Sequence, residues 1–429
     1  MTDTEQERKN ERSSEPELQQ LNSSSDIEAQ PSFTANEDAL GNEEGAEIQY
    51  KTCKWHTSVL MIAENISLGV LALPQALAIL GFVPGLLCIC FLGIIATYTG
   101  WIIGEFKLAY PQAQSFADCG EIIAGPIGRE VAAMGSILIL VFVSGAHVLT
   151  FAVAMDALTD HGACTMVFSF VGMIICFILG LPRTFKNVSI SSLVSCVSII
   201  AAVFIAMISI AIDKPDAGHI VAVRPDVPFV KGLAPVLNIV LAYTGHVAFI
   251  SFQSELRDPR EFKKALLLEQ GIAIMFYMLI SAVIYYYAGP LVTSPALGSA
   301  NKLFTKIAFG FAIPTILIAG VVNGNVACKY IYMRVWKNTN VVHQTNVKSL
   351  GSWVAICAGL WVLAWILAES IPSFNVLLGL IAALFGVWFS YTFPIIMWFY
   401  QHKGALFKDK RMTMLSALNG ALFCIGIAI

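Results

Sequence analysis

The stretch Ala63-Glu64-Asn65-Ile66-Ser67-Leu68-Gly69-Val70-Leu71-Ala72-Leu73-Pro74 decides the fold. It lies inside the first long apolar run of the chain, yet it sets Glu64, Asn65, Ser67 and Gly69 near the middle of that run. A second stretch, Val240-Leu241-Ala242-Tyr243-Thr244-Gly245-His246-Val247, does the same inside a later run. Irregular backbone at mid-membrane depth survives only where protein buries it or a wet cavity faces it. The plainer reading of one glycine in a membrane helix is a close-packing point. Two such segments at corresponding places favour a broken helix at each.

Apolar residues make up 57% of the 429 and charged residues 13%, where a soluble domain carries about 25% charged. A mean hydropathy of +0.71 names lipid as the solvent. A lipid-spanning helix needs about 20 apolar residues. Runs of that kind fall at 55–81, 82–103, 131–158, 163–181, 188–212, 232–254, 270–289, 307–328, 350–368, 374–400 and 412–429. Strand-like alternation is absent, which excludes a β-barrel. The expected fold is an all-α polytopic membrane protein with eleven transmembrane helices.

In that numbering the two breaks fall in helices 1 and 6. Each is the first helix of a five-helix half, at about 55–212 and 232–400, with an extra helix at 412–429. An odd number of spans per half inverts the second half. A 5+5 inverted repeat with broken helices at matching places marks a secondary transporter.

Charge sets the orientation. With residues 1–50 inside, 21 Lys and Arg fall on the inner side and 5 on the outer side. Such a ratio puts the N-terminus in the cytoplasm. Residues 1–50 carry 13 acidic and 3 basic residues, too polar to bury a core, so they are expected to form a disordered cytoplasmic tail. No basic start precedes an apolar core there, so the first span serves as the insertion signal. A net charge of −3 leaves no broad basic surface for nucleic acid. Ten scattered cysteines contain no CxxC pair and read as small buried hydrophobes. No HExxH, P-loop or nucleophile elbow occurs, so neither an enzyme, a metal site nor a cofactor is expected. The sequons at Asn22 and Asn187 fall on the inner side and that at Asn65 within the membrane, so none is expected to be glycosylated.

A broken helix exposes N–H groups at one half-helix end and carbonyls at the other. At the first break, Asn65, Ser67, Leu68 and Gly69 are candidate substrate-binding residues, and the amides near Ser67, Leu68 and Gly69 are candidates to hold a carboxylate. At the second, carbonyls near Tyr243, Thr244 and Gly245 are candidates to accept from an ammonium group. A zwitterionic amino acid fits both. Ser144 and His147 in the third span, and Phe249 and Phe252 after the second break, are candidate pocket walls; phenylalanines in membrane helices more often meet lipid or a neighbouring helix. Intramembrane ionisable residues are functional candidates by default. Glu64, His147 and His246 are therefore proton-coupling candidates, His246 because imidazole titrates near neutral pH. The plainer reading of each histidine is a neutral ring bonded to a helix carbonyl, and of Glu64 a neutral or paired carboxyl. The cluster Glu255, Arg257, Asp258, Arg260, Glu261, Lys263 and Lys264 reads as a solvated inner anchor, with a cytoplasmic gate as the alternative.

The run from Asn65 to Pro74 resembles the first-span signature of the amino acid/auxin permease family, within the amino acid-polyamine-organocation superfamily. The Gly81-Phe82 turn and Gly180-Leu181-Pro182 extend the likeness over about residues 50–429. Within the family the chain is similar to fungal neutral amino acid permeases of the methyltryptophan-resistance type. The resemblance implies the fold of the bacterial leucine transporter and uptake of neutral, including aromatic, amino acids with protons. Sodium-coupled relatives carry Asn where this chain has Ala63, which favours the proton as coupling ion. The resemblance also adds Asn323, beside Gly324 and Asn325, to the candidate site. The expected partners are a small amino acid and the lipid bilayer, at the plasma membrane rather than the vacuole. An amino acid-sensing receptor without flux, a channel, and a sodium-coupled or vacuolar transporter are the competing readings. Oligomeric state leaves no trace in the sequence.

Overall fold

The computed structural model describes residues 54–183, 188–225, 227–336, 339 and 346–428. The acidic tail at 1–50 and the sequons at Asn22 and Asn187 lie outside the described residues.

The first apolar run forms α1 (Lys54–Asn65), a 3₁₀ turn (Leu68–Ala72) and α2 (Leu73–Leu80). The two halves bend by 41°. Pro74 sits in the first turn of α2, where its missing N–H costs no helical bond. Gly81 ends α2 with φ +99°. A Cβ there would lie 3.1–3.2 Å from the backbone of Ala222, Val223 and Arg224, so only glycine fits this turn. Phe82 and Val83 then donate their N–H groups to Val221 and Ala222 carbonyls, and α3 (Phe82–Ala109) begins.

Next come α4 (Phe116–Thr159), α5 (Thr165–Gly180) and α6 (Val188–Asp213). The second broken run gives α7 (Phe229–Ala242) and α8 (His246–Ser254), separated at Tyr243–Gly245. It is followed by α9 (Phe262–Ala288), α10 (Lys302–Val335) and α11 (Val347–Ser370). The last apolar runs form α12 (Phe374–Ile381), two π-helical stretches (Ala382–Gly386 and Trp388–Thr392), α13 (Phe393–Gln401) and α14 (Lys410–Ala428).

The all-α membrane architecture matches the expectation, but the count of eleven does not follow from it. Among the described residues, nine helices are long and apolar enough to span, and ten with the bent pair. The expected fourth span forms only the 16-residue α5, about 24 Å at 1.5 Å per residue, against a hydrocarbon core of about 30 Å. Two helices start well before their expected runs, and a third departs from plain α-helix. α4 starts fifteen residues before the expected 131, because Ser115 and Asp118 form a reciprocal capping box. It kinks at Ala124 and Gly125, just before Pro126. α9 starts at Phe262 rather than 270, which brings Glu269 inside the helix. The 374–400 run is not a plain α-helix; its π stretches widen the turn at mid-span.

Large apolar side chains face outward, among them Phe91 at 59% and Met275 at 74% exposure; in water such a surface is an association liability, and in lipid it is the normal face. The helices pack in two groups. α10 lies against α4 and α6, and α11 against α4. α9 lies against α3 and α1, while α2 and α12 lie against α7. Both broken helices belong to the second group.

Candidate functional site

The two breaks meet. A Cβ on Gly69 would lie 2.7 Å from the Cα of Ala242, so a glycine is what lets the two backbones touch. Breaking α1 after Asn65 and α7 after Ala242 frees carbonyls that no following turn can pair. The Tyr277 hydroxyl, on α9, lies 3.0 Å from the Asn65 carbonyl oxygen and 3.0 Å from that of Ala242. One phenol thus staples both breaks. Asn65 Nδ2 also donates to Glu269 Oε1 at 2.6 Å, so the side chain before the first break is tied to the same helix.

The breaks differ in what they leave free. At the first, the Ser67 N–H turns back to the Asn65 carbonyl at 3.0 Å. The Ser67 hydroxyl has no hydrogen-bond partner among the described residues. Leu68 and Gly69 open a 3₁₀ turn, whose first N–H groups have no intrahelical partner and carry the positive end of its dipole. At the second, Tyr243 and Thr244 donate their N–H groups to Val240 and Leu241 carbonyls, and the Thr244 hydroxyl donates to Val240 at 2.9 Å.

A cavity of about 610 Å³ lies against both breaks, within the range that holds small organic ligands. Ten candidates line it: Glu64, Asn65, Ser67, Leu68, Gly69, His147, Thr244, Gly245, Phe252 and Asn323. Apolar walls come from Leu60, Ile139, Val143, Val322 and Ile381. His147 Nδ1 lies 2.9 Å from the Ile316 carbonyl, and Asn323 Nδ2 donates to Ala319 of its own helix at 2.9 Å. Asn325 does not line the cavity; it donates to Gly180 and Pro182 carbonyls and holds the turn after α5.

Four candidates stand apart from the cavity: Ser144, Tyr243, His246 and Phe249. Ser144 donates to Leu140 of its own helix at 2.8 Å. Tyr243 donates from its hydroxyl to the Ile89 carbonyl at 3.0 Å, in the seam with α3. The helical period explains the other two. On α8, Val247, Ala248, Ser251, Phe252 and Glu255 face the cavity, one stripe at spacings of one, four, five and eight. His246 and Phe249 fall on the opposite stripe. There His246 Nε2 lies 2.9 Å from the Ala96 carbonyl and 3.1 Å from Thr99 Oγ1, and its ring lies tilted at 40° against Phe249, centroids 4.7 Å apart. Phe252, by contrast, is a cavity wall.

Sequence reasoning missed Glu269 and Tyr277. The apolar run read from sequence opens at residue 270, just past Glu269, whereas the helix starts at Phe262. Ala265-Leu266-Leu267-Leu268, just upstream, is the signal that extends the helix past Glu269. Nothing in the sequence marks Tyr277 as a staple, because its partners are 212 and 35 residues away.

The cavity runs from the breaks toward Leu60, Ile190, Ser251, Glu255 and Val326. On the far side of the breaks, a separate recess of about 420 Å³ is lined by Gln75, Arg224, Lys231 and Pro290. The two share no lining residue.

Residues 51–429 match the family described as "Transmembrane amino acid transporter protein". The chain is 37% identical over 382 residues to the N amino acid transport system protein of Neurospora crassa, covering 87% of this chain and 81% of that one. It is 30% identical to a transmembrane transporter of Gibberella moniliformis, over 83% and 77% of the two chains. An amino acid transporter of Arabidopsis thaliana is 23% identical, over 79% of each. Among solved structures, a nucleobase-cation-symport-1 family transporter in a closed conformation superposes with a TM-score of 0.53 at 13% identity, covering 91% and 93% of the chains. A manganese transporter of Eremococcus coleocola gives 0.53 at 12% identity, over 91% and 89%. These two likenesses show the fold of the bacterial leucine transporter class and nothing about substrate.

Proposed function

We propose, from the premise that the chain belongs to the transmembrane amino acid transporter protein family, that it is a proton-coupled symporter of neutral amino acids, aromatic ones included. It works at the plasma membrane with its N-terminus in the cytoplasm, by alternating access. The two repeats are about 55–212 and 232–400, with 412–429 outside them. Support comes from one observation above the others: the two breaks meet, and one cavity has Ser67, Leu68 and Gly69 of the first and Thr244 and Gly245 of the second in its wall. The substrate carboxylate binds the amides of Leu68 and Gly69 with the hydroxyl of Ser67. The ammonium group binds beside Asn65, Thr244 and Gly245, with Asn323 across from them. The side chain lies among the apolar walls and Phe252, which favours an uncharged one. Of the ionisable groups named from sequence, Glu64 and His147 line the cavity and His246 lies behind it.

The group of α1, α2, α7, α8 and α9 rocks against α4, α6 and α10. With the N-terminus inside, the cavity communicates with the cytoplasmic face, and the Arg224 recess marks the outer one.

The test is uptake of a panel of labelled amino acids at two external pH values, with and without an uncoupler. Concentrative uptake of neutral members, faster at acid external pH and abolished by the uncoupler, is the expected result. Replacing sodium with choline leaves it intact. Binding without accumulation makes the chain a receptor, and uptake that needs sodium removes the proton assignment.

A further inference from the structure

We infer that Glu269 is the proton-binding group of this transporter, and that it passes its protonation state to the substrate site through the side chain of Asn65. The inference rests on the symport reading above and says where the proton sits.

Glu269 is 0% exposed on α9, at the level of the first break. Its Oε1 accepts from Asn65 Nδ2, while its Oε2 has no hydrogen-bond partner among the described residues. The adjacent Gln270, also 0% exposed, is with Asn65 the amide that faces this carboxyl. No Lys, Arg or His forms an ion pair with Glu269 among the described residues. The titratable groups that face it are the phenols of Tyr277, on its own helix, and Tyr243, from the second break. Glu64, beside Asn65 in sequence, lines the cavity instead. A carboxylate sealed from water without a countercharge is strongly disfavoured and takes a proton instead. Such a group inside a membrane is costly to keep and marks a proton path.

Among the described residues, Asn65 is the one that both bonds Glu269 and lines the cavity. Its carbonyl shares the Tyr277 hydroxyl with Ala242, so movement of Asn65 is felt at both breaks. Hydrogen bonds to an ionised carboxylate are about twice as strong as neutral ones. An ionised Glu269 therefore pulls the Asn65 amide away from the cavity. A proton on Oε2 weakens that bond and frees the Asn65 side chain to turn its Oδ1 toward the substrate's ammonium group. Proton and substrate then favour each other's binding reciprocally, which is what symport requires. The three groups named from sequence lack this arrangement: His246 lies in the seam behind the cavity, His147 faces the cavity but is bonded to the Ile316 carbonyl, and Glu64 has no described link to the second break.

The experiment uses the full chain in proteoliposomes with labelled L-alanine and L-phenylalanine and a trapped pH-sensitive dye. Wild type is expected to admit protons when either amino acid is added outside. Absence of that signal sinks the symport reading itself, and the role of Glu269 with it. Given the signal, Glu269→Gln is expected to lose substrate-evoked proton entry and gradient-driven accumulation while still exchanging labelled for unlabelled amino acid at equal pH. Wild-type substrate affinity is expected to fall about tenfold per pH unit once Glu269 ionises, and E269Q affinity to stay flat. Proton entry retained in E269Q overturns the inference and leaves symport standing. If E269Q neither exchanges nor binds, Glu269→Asp decides: coupled uptake with a displaced pH profile supports the assignment, and its absence overturns it.

Discussion

The first break bends its helix by 41° and leaves a serine hydroxyl and the opening amides of a 3₁₀ turn unpaired. The second spans three residues and closes on itself, with Tyr243 and Thr244 bonding back to Val240 and Leu241. Its side chains are anchored as well, Tyr243 on Ile89 and His246 on Ala96. Two similar-looking interruptions therefore do different jobs. The first leaves polar groups unpaired and is held by side-chain links to α9. The second is a fixed wall against which the first is set. The lesson is that a polar, glycine-containing segment in a membrane helix signals a break without saying how much backbone it leaves available.

Four substitutions probe that contrast. The largest effect is expected at Gly69→Leu. Its Cβ alone would fall 2.7 Å from Ala242 Cα, and overpacking of this kind costs about 1–3 kcal/mol or more. Uptake is lost while surface labelling shows the chain still reaching the membrane; near-normal uptake breaks the idea that the two backbones must touch. Tyr277→Phe comes next. It strips the hydroxyl from both break carbonyls, at about 1–3 kcal/mol for a buried group left unpaired. The thermal midpoint in detergent falls and the transport rate changes with it; an unchanged midpoint means the staple is idle.

His246→Ala is expected to act on packing, since the ring lies in the α3 seam. It lowers the thermal midpoint and keeps the pH profile of uptake, whereas a shifted profile would return this imidazole to proton traffic and make the second break more than a wall. The smallest effect is expected far from both breaks. Hydrogen bonds from Lys306 and Lys302 hold the Asp160 carboxyl below its ordinary value of 3.8. A carboxyl lowered on folding stabilises above its unfolded value, and that contribution disappears as pH falls through the folded value. The pair is exposed, so Asp160→Asn barely moves the midpoint at pH 7. A large change there would show that the link between α4 and α10 matters as much as the breaks.

Much of the fold was legible because membrane solvation acts locally. Each apolar run declares itself by length, and each break by polar residues and glycine at mid-run. The count was less legible, because α5 stops at 16 residues and helix ends depend on caps such as Ser115 with Asp118. Within the site, Ser67, Leu68, Gly69, Thr244 and Gly245 could be named because they are the breaks. Phe249 and His246 were grouped with the cavity because sequence spacing does not say which stripe of α8 turns inward.

The chain itself determined that lipid is its solvent, that its helices follow one another in this order, and that two of them come apart. Those properties depend on neighbours within about one helical turn or one membrane thickness. Only the tertiary structure decided which stripe of each helix meets the cavity, and that Glu269 and Tyr277 reach Asn65 across 204 and 212 residues. The physical reason is that helix rotation is set by side-chain packing between helices, and residues far apart in the chain are joined only once that packing exists.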